Sequence, residues 1–453
     1  VDYKKIDKYV LKKFIKEIDF IAFKNRLNLN LKHTTTNLQA YASGWLDILI
    51  SGPDLTSLTI SGSTTNVKHS YLQRAQLISD NNIASVVSMF NECASLTNIP
   101  NWKFRTTDIV DASAMFYNCY SLVTIPLLDT QNVSNMTSIF FGCASLKTIP
   151  LLDTSAVSGM TNMFRSCSSL ELVPELDTSN SASMLSMFNA CPKLRAVSFA
   201  NTALVTGMNS MFSGCSSLES VSLPDTRAVT SMNLMFNFCR SLTSVSLPDT
   251  RAVTDMSGMF TSCSSLTSVS LPDTGQVTLM STMFSGCTSL VTVSLFNTEN
   301  VTTMSSMFLT CSSLITVPLF NTVKVASMNA MFQDCVNLKS VPLFDCTALT
   351  NTSNMFRSCT SLVSVPALSV NGAASGTAQA TMFFGCSNLS RIDVTTFKFT
   401  ISMSNLKLSA DRLNEIYTNL ATVTSQTITV TGNYGNASDN PSIATAKGWT
   451  VTG

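Results

Sequence analysis

Thirteen of the fourteen cysteines recur along the chain at a nearly constant interval. The steps between them are 26 residues, then ten steps of 24, then 27. The series is Cys93, Cys119, Cys143, Cys167, Cys191, Cys215, Cys239, Cys263, Cys287, Cys311, Cys335, Cys359 and Cys386, and Cys346 stands outside it. A constant interval predicts a column of stacked thiols, one in each turn of a repeat array.

Three kinds of chemistry could use such a column of thiols. Stacked turns would place Cα atoms ~4.8 Å apart, inside the ~4.4–6.8 Å window for disulfides, but parallel side chains fit the disulfide torsion poorly. A metal site needs ligands that close into a near-tetrahedral cluster, which a single file does not provide. We therefore interpret the cysteines as buried free thiols that act as small hydrophobic side chains. Free thiols in this number favour assembly in a reducing compartment.

A column of aspartate and asparagine residues follows the same 24-residue interval. Its members are Asp129, Asp153, Asp177, Asn201, Asp225, Asp249, Asp273, Asn297, Asn321 and Asp345. We predict that each side chain accepts hydrogen bonds from nearby backbone N–H groups in an Asx turn. The alternative is a string of weak calcium sites, because Ca²⁺ binds carboxylate oxygens. Asparagine at three of these positions lowers the negative charge of the column. We therefore predict no cofactor. Calcium bound to this column stays the open alternative.

Two columns of hydroxyl side chains form the candidate binding surface. We call them the hydroxyl columns: the first is Ser220, Ser244, Ser268, Thr292 and Thr316, and the second is Ser222, Ser246, Ser270 and Ser294. Both are predicted to lie on the exposed face of a sheet, which could contact a glycan or a protein. The clearest exposed apolar residues are expected at the variable positions after Met-Phe, namely Phe141, Phe238, Leu309 and Phe384.

The repeat that positions these residues reads M-x-x-M-F-x-x-C-x-S-L-x-x-V-[PS]-L-x-[DN]-T-x-x-V-[TS], with one clean copy at residues 256–278. Residues 266–271 predict a short strand with Val269 and Leu271 inward. Residues 277–284 have apolar side chains at helical spacing, which predicts a short helix or 3₁₀ turn. The predicted structural ladder is Phe212, Phe236, Phe260 and Phe284 with Cys215, Cys239, Cys263 and Cys287. Stacking would bury these columns in one continuous core.

The fold class predicted is therefore an α/β solenoid, a leucine-rich-repeat array of about 13 coils of 24 residues. Residues 1–80 are predicted to hold a basic amphipathic helix and a helical/β cap that serves for docking, residues 81–405 the solenoid, and residues 406–453 a βαβ-like cap. In the last segment, Ser409 and Asn440 are the expected helix N-caps.

Prolines in the strand column remove a backbone donor, so we expect weak pairing at both ends of the array. They are Pro126, Pro150, Pro174, Pro318, Pro342 and Pro366.

The overall composition excludes several functional classes. A net charge of +1 with 12% charged residues does not indicate a nucleic-acid-binding protein. No apolar run reaches the ~20 residues that span a bilayer, and charged residues interrupt any secretory signal near the first residue. The two histidines, His33 and His69, lie outside the repeats, and no nucleophile elbow or phosphate loop appears. We therefore predict that the protein is not an enzyme.

The repeat motif, for example at residues 307–319, resembles the BspA-like leucine-rich repeat surface proteins. The last segment, residues 408–453, resembles the closing segment of such repeats in phage tail and other virion proteins. This resemblance implies adhesion or host recognition without catalysis.

Two placements follow from these expectations. The first is a virion structural or appendage protein such as a tail fibre, decoration or receptor-binding protein, assembled in the host cytoplasm. In that placement residues 1–80 contact other virion or surface proteins or a second copy, and the solenoid contacts a host protein or glycan. The alternative is a bacterial or protist cell-surface adhesin of the same repeat type.

Overall fold

The computed structural model describes residues 27–30, 35–37, 47–51, 57–59, 73–82, 85–100, 103–105, 109–368, 381–394 and 397–453. The chain divides into two compact units, residues 1–205 and residues 206–453. The predicted N-terminal helix, apart from its last residue, lies outside the described residues. The boundaries predicted at residues 80 and 405 stay predictions.

Both units are built from turns of a β-solenoid of the leucine-rich-repeat type, which confirms the predicted fold class. About 11 turns have the 24-residue spacing, and they correspond to the cysteines from Cys119 to Cys359. Pairing between neighbouring turns is parallel throughout the described strands.

Six strands are described in the first part of the first unit. They are β1 (Leu27–Asn30), β2 (Thr35–Asn37), β3 (Asp47–Ser51), β4 (Ser57–Thr59), β5 (Arg74–Asn82) and β6 (Lys103–Arg105). One sheet has the order β1-β3-β5-β6, and β2 pairs with β4. The strands β1 and β3 lie within residues 1–80, for which a helical/β cap was predicted. Later in the unit, β7 (Leu176–Asp177) pairs with β8 (Ala196–Asn201).

The second unit carries the remaining strands and both described helices. The strands are β9 (Ser220–Ser222), β10 (Ser244–Ser246), β11 (Ser268–Ser270), β12 (Ser364–Leu368), β13 (Arg391–Val394), β14 (Ile401–Ser402), β15 (Gln426–Thr429) and β16 (Trp449–Thr452). The helices are α1 (Ala410–Asn419) and α2 (Ser442–Thr445). The pairs β10–β11 and β12–β13 lie in the repeats, and β14-β15-β16 form a closing parallel sheet.

The helix or 3₁₀ turn predicted at residues 277–284 is wrong. Every second amide in this segment bonds the next turn: the Thr282 N–H donates to Ser305 O at 2.9 Å and the Phe284 N–H to Met307 O at 2.9 Å. The amides between them bond locally, as when the Met283 N–H donates to Met280 O at 3.3 Å. This alternation requires a left-handed residue, here Thr282 with φ 57°, and such a residue breaks a right-handed helix.

Strand pairing follows the serine and proline pattern only in part. Consecutive turns with serine in the strand column form β9, β10 and β11, whereas residues 109–175 and 271–363 form no regular strand. In these turns the later residue donates to the earlier turn, as the Ile315 N–H does to Val291 O at 3.0 Å. Pro318 in this stretch has no N–H and cannot donate a hydrogen bond to a neighbouring turn. The weak pairing predicted at both ends of the array does not hold throughout, because β12 contains Pro366 and still pairs with β13.

The C-terminal segment follows the predicted βαβ-like order. Ser409 is the N-cap of α1, and its side chain accepts the Arg412 N–H at 3.4 Å. The N-cap of α2 is Pro441 rather than the predicted Asn440. Tyr417 is buried, and its hydroxyl donates to Asp439 at 2.6 Å. Whether this segment closes the solenoid as a cap stays a prediction.

Candidate binding surface

Apolar columns fill the inside of each turn and hold the outer face in place. In the second unit, the rings of Phe212, Phe236, Phe260 and Phe284 are fully buried and stack in parallel, with centroids 5.6, 5.6 and 5.7 Å apart. In the first unit, Phe90 and Phe116 stack in the same way at 5.5 Å. Stacked aromatic rings add about 0.5–1.5 kcal/mol each to the burial of their surface. The face outside these columns is therefore a rigid platform.

The cysteines lie beside the phenylalanine column as free, buried thiols. Most thiols of the column donate to the carbonyl of the phenylalanine one turn earlier: Cys239 Sγ lies 3.2 Å from Phe212 O and Cys263 Sγ lies 3.1 Å from Phe236 O. The same bond joins Cys287 to Phe260 at 3.1 Å. Burial raises the pKa of Cys263 to about 12, so the thiol keeps its proton and remains a donor. Cys215 is buried in the same column.

The aspartate and asparagine column forms Asx turns, as predicted. Asp249 Oδ1 accepts the Arg251 N–H at 3.0 Å and Asn297 Oδ1 accepts the Glu299 N–H at 2.9 Å. The hydrogen bond from the Ser155 hydroxyl, followed by that from its backbone N–H, lowers the pKa of Asp153. Among the described residues, no group of three or more His, Cys, Asp or Glu could hold a metal ion.

Both hydroxyl columns face solvent. Ser220, Ser244, Ser268, Thr292 and Thr316 of the first column are exposed. So are Ser222, Ser246, Ser270 and Ser294 of the second. All of them lie in the second unit, where the first column runs alongside the inward valine positions.

The repeat motif predicts that the leucine after its serine or proline faces inward. In the structure this leucine faces inward in some turns and outward in others. In turns that read S-L-P-D, this leucine is on the inner side: Leu247 is 2% exposed, Leu223 is also buried, and Leu271 is half-buried. In turns that read [SP]-L-[LF]-[DN], the next apolar residue takes the inner position: Phe320 is 2% exposed while Leu319 is 60% exposed. A pair of adjacent apolar residues before the Asx turn was the sequence signal for this register change, and the prediction from the repeat missed it.

The register change exposes one leucine in each of three successive turns of the second unit, and Val291, Ile315 and Val363 are exposed in a second column that Lys339 interrupts. We define the apolar stripe as Val291, Leu295, Ile315, Leu319, Leu343 and Val363, all of which are exposed. Leu295 is 69% exposed and Leu343 is 59% exposed. The backbone keeps this column in register, because the Lys339 N–H donates to Ile315 O at 3.0 Å and the Val363 N–H to Lys339 O at 3.2 Å.

The same register change in the first unit creates a groove of about 740 Å³. Leu127 and Leu151 are 70% and 67% exposed along it. The groove also contains four carboxylates, and we define the acidic groove as Leu127, Leu151, Asp129, Asp153, Glu175 and Asp177. The corresponding groove of the second unit, beside Leu295 and Leu319, has one aspartate, Asp273, and has Asn297 and Asn321 at the next two positions of the column.

The apolar residues predicted to be most exposed lie elsewhere and only two of them are exposed. Phe238 and Phe384 face solvent, each under an arginine side chain: Arg240 lies 5.7 Å from the ring centroid of Phe238, and Arg357 lies 4.9 Å from that of Phe384. Phe141 and Leu309 are half-buried, which corrects the prediction. Phe141 is covered because its ring stacks on Tyr117 at 4.6 Å.

The repeats match one family model several times. The matches cover residues 84–197, 124–220, 183–291, 230–341, 254–366 and 291–397, and the model is described as "Mycoplasma protein of unknown function, DUF285". The chain belongs to this family. The matches together span residues 84–397, which is the part that carries the repeat motif. No curated protein sequence matches the chain.

Several solved structures are similar in fold. A leucine-rich cell-surface protein from Faecalibacterium prausnitzii is 18% identical, covers 82% of this chain and 87% of its own, and has a TM-score of 0.37. A leucine-rich-repeat protein from Eubacterium ventriosum is 15% identical over 70% of this chain and 83% of its own, with a TM-score of 0.33. The pneumococcal vaccine antigen PcpA is 14% identical over 90% and 87%, with a TM-score of 0.35.

No helix among the described residues is both long enough and apolar enough to cross a membrane.

Proposed function

We propose that the protein is a non-enzymatic, cell-surface adhesin whose sheet face binds a protein partner. The observation that carries the proposal is the apolar stripe, Val291 to Val363, exposed on a rigid face of the second unit. Contiguous exposed apolar residues rimmed by polar ones mark interaction surfaces. Thr292, Ser294 and Thr316 lie between the two apolar columns of the stripe and offer donors and acceptors for a partner's backbone.

A protein partner fits this surface better than a glycan. Leu295, Leu319 and Leu343 offer branched aliphatic side chains that a protein partner can bury, at about 25 cal/mol for each Å² removed from water. The repeat spacing presents the same chemistry in successive turns, so several weak contacts can act together. The first hydroxyl column would take part through Thr292 and Thr316, which lie between the apolar positions of the stripe.

The cell-surface placement is the one we propose, in place of the virion placement favoured by the sequence. The family match covers the repeats that resemble BspA-like surface proteins. None of the proteins named above is described as a virion protein, and the resemblance of residues 408–453 to virion proteins stands alone. The proposal assigns no catalytic role to any residue.

The placement is tested by labelling intact cells of the source organism with an antibody against residues 86–400. We expect label on intact cells and its loss after brief protease treatment of those cells. Label found only after the cells are permeabilised, or only on released virus particles, would overturn the cell-surface placement.

The binding role is tested with beads coated with the full chain and placed on cultured epithelial cells and immobilised extracellular-matrix proteins. The triple variant Leu295→Ser, Leu319→Ser, Leu343→Ser should lower bead retention at least five-fold, because it removes the apolar contact and leaves the inner columns intact. The matched control is Val323→Ser, an exposed apolar residue of the same unit outside the stripe. Equal retention of the triple variant and the parent chain would contradict the proposal.

A further inference from the structure

The acidic groove in the first unit combines two features that are unfavourable when left uncovered. Leu127 and Leu151 each expose about two thirds of their surface. Beside them Asp129, Asp153 and Asp177 stand one per turn, ~4.8 Å apart, so their like charges repel one another. A ligand with apolar side chains would cover the two leucines, and cationic side chains on the same ligand would neutralise the carboxylates.

The Asx turns keep this carboxylate column fixed. Asp153 Oδ1 accepts the Ser155 N–H at 3.0 Å, and Asp177 Oδ1 accepts the Ser179 N–H at 2.9 Å. Asp129 Oδ1 accepts the Gln131 N–H at 3.5 Å. The carboxylates are therefore preorganised, and a ligand need not order them when it binds. Among the described residues that line this groove, none is a lysine or arginine that could neutralise them.

The chain itself encodes a segment with the complementary chemistry. Residues 1–24 lie outside the described residues, and their sequence has apolar residues at helical spacing, including Ile6, Val10, Phe14 and Ile18. The lysines among them are Lys4, Lys5, Lys8, Lys12, Lys13, Lys16 and Lys24. Successive turns of a helix rise 5.4 Å, close to the ~4.8 Å between solenoid turns, and long lysine side chains can extend from the edge of an apolar face.

We propose that the acidic groove is the docking site of residues 1–24 of the same chain. The apolar side chains of this segment cover Leu127 and Leu151, and its lysines pair with the carboxylates of the groove. This inference goes beyond the proposed function, because it concerns the first unit and an intramolecular partner. The groove beside Leu295 and Leu319 has one carboxylate, that of Asp273, against four in the acidic groove, so it attracts the segment less strongly.

Zero-length carbodiimide coupling of the full chain tests this docking, because it joins an amine and a carboxylate only where they touch. Mass spectrometry should find Lys4 to Lys16 joined to Asp129, Asp153 or Glu175. In the variant Leu127→Ser, Leu151→Ser these products should fall at least five-fold. The matched variant Leu295→Ser, Leu319→Ser should leave them unchanged. Circular dichroism confirms that both variants fold.

Mixing isotopically heavy and light chains identifies the source of the segment. Products that join only peptides of the same isotope support docking within one chain. Products that join heavy to light peptides assign the groove to a second copy and overturn the proposal. It is equally overturned if the lysines of residues 1–24 couple mainly to carboxylates elsewhere, or if the leucine substitutions leave the products unchanged. None of these results bears on the apolar stripe.

Discussion

At the scale of single residues, the threonine that follows each aspartate or asparagine links neighbouring turns. Thr250 is fully buried, its hydroxyl donates to Asp273 O, and it also accepts the Asp273 N–H at 3.2 Å. One hydroxyl thus satisfies both backbone groups of the residue one turn later. The motif gave the position of this threonine but not its partner, because the partner is set by how two turns stack.

Replacing Thr250 with valine should therefore be costly although the two side chains have the same shape. The change leaves the partly buried N–H and C=O of Asp273 without their partner, and each lost hydrogen bond costs about 0.5–1.5 kcal/mol. We expect the free energy of unfolding to fall by about 2 kcal/mol or more, measured by guanidinium denaturation. Thr254→Val is the control: Thr254 is exposed and donates at 3.2 Å to Thr230 O, so the effect should stay below about 0.5 kcal/mol. Equal losses in the two variants would contradict the role assigned to Thr250.

At the scale of elements, the predictable features were those that one turn decides alone. The Asx turns and the strands β1, β3 and β16 follow from local side chains. The segment before each cysteine was predicted as a helix because Met280, Met283 and Phe284 have helical spacing. Its real conformation depends on carbonyls of the next turn, which accept alternate amides, and sequence spacing within one turn cannot reveal that.

The candidate binding surface, like the elements, was predicted from the sequence only in part. The exposure of the hydroxyl columns was predicted because the strand alternation places them outside. The apolar stripe was missed because the inner position at this point has room for one side chain only. Where phenylalanine or a second leucine competes for it, as Phe296 does with Leu295, the larger or better-placed residue enters and its neighbour is exposed.

Left-handed residues in the segment before each cysteine give an element-scale prediction. Ser262 has φ 59°, and the equivalent residue one turn later is Gly286 with φ 75°. A non-glycine residue in the left-handed backbone conformation destabilises the folded state by about 1–2 kcal/mol. Glycine destabilises it by only about 0.5–1 kcal/mol, because the unfolded chain gains entropy. Ser262→Gly should therefore raise the thermal midpoint slightly.

The control for this prediction is Ser264→Gly, two residues further along the same turn. Ser264 does not have a positive φ, so glycine there brings only the entropic cost and should lower the midpoint. The two substitutions remove the same atoms, and opposite signs are the expected result. A lower midpoint for Ser262→Gly would show that the left-handed backbone is not a strain that glycine relieves.

At the scale of the whole molecule, the cysteine column links stability to pH. Burial raises the pKa of Cys263, Cys335 and Cys386 from an ordinary value of 9.0 to about 12. Such a thiol has a higher pKa in the folded state than in the unfolded state. Its full contribution to stability is present at a pH below the pKa of the unfolded state, and this contribution is lost as the pH rises towards the pKa of the folded state. Stability should therefore fall from about pH 9 to about pH 12 as each unfolded thiol loses a proton that the folded one keeps.

The triple variant Cys239→Ala, Cys263→Ala, Cys287→Ala isolates this effect from the titration of lysine and tyrosine. These three thiols occupy successive turns of the second unit, and burial raises the pKa of each. The variant should be less stable than the parent at pH 7, because three small cavities replace sulfur atoms. Between pH 9 and pH 11 its thermal midpoint should fall less steeply than that of the parent, because unfolding no longer releases three protons. Parallel decline of the two midpoints over that range would show that the buried thiols do not determine the alkaline limit, since the cavities lower stability equally at every pH.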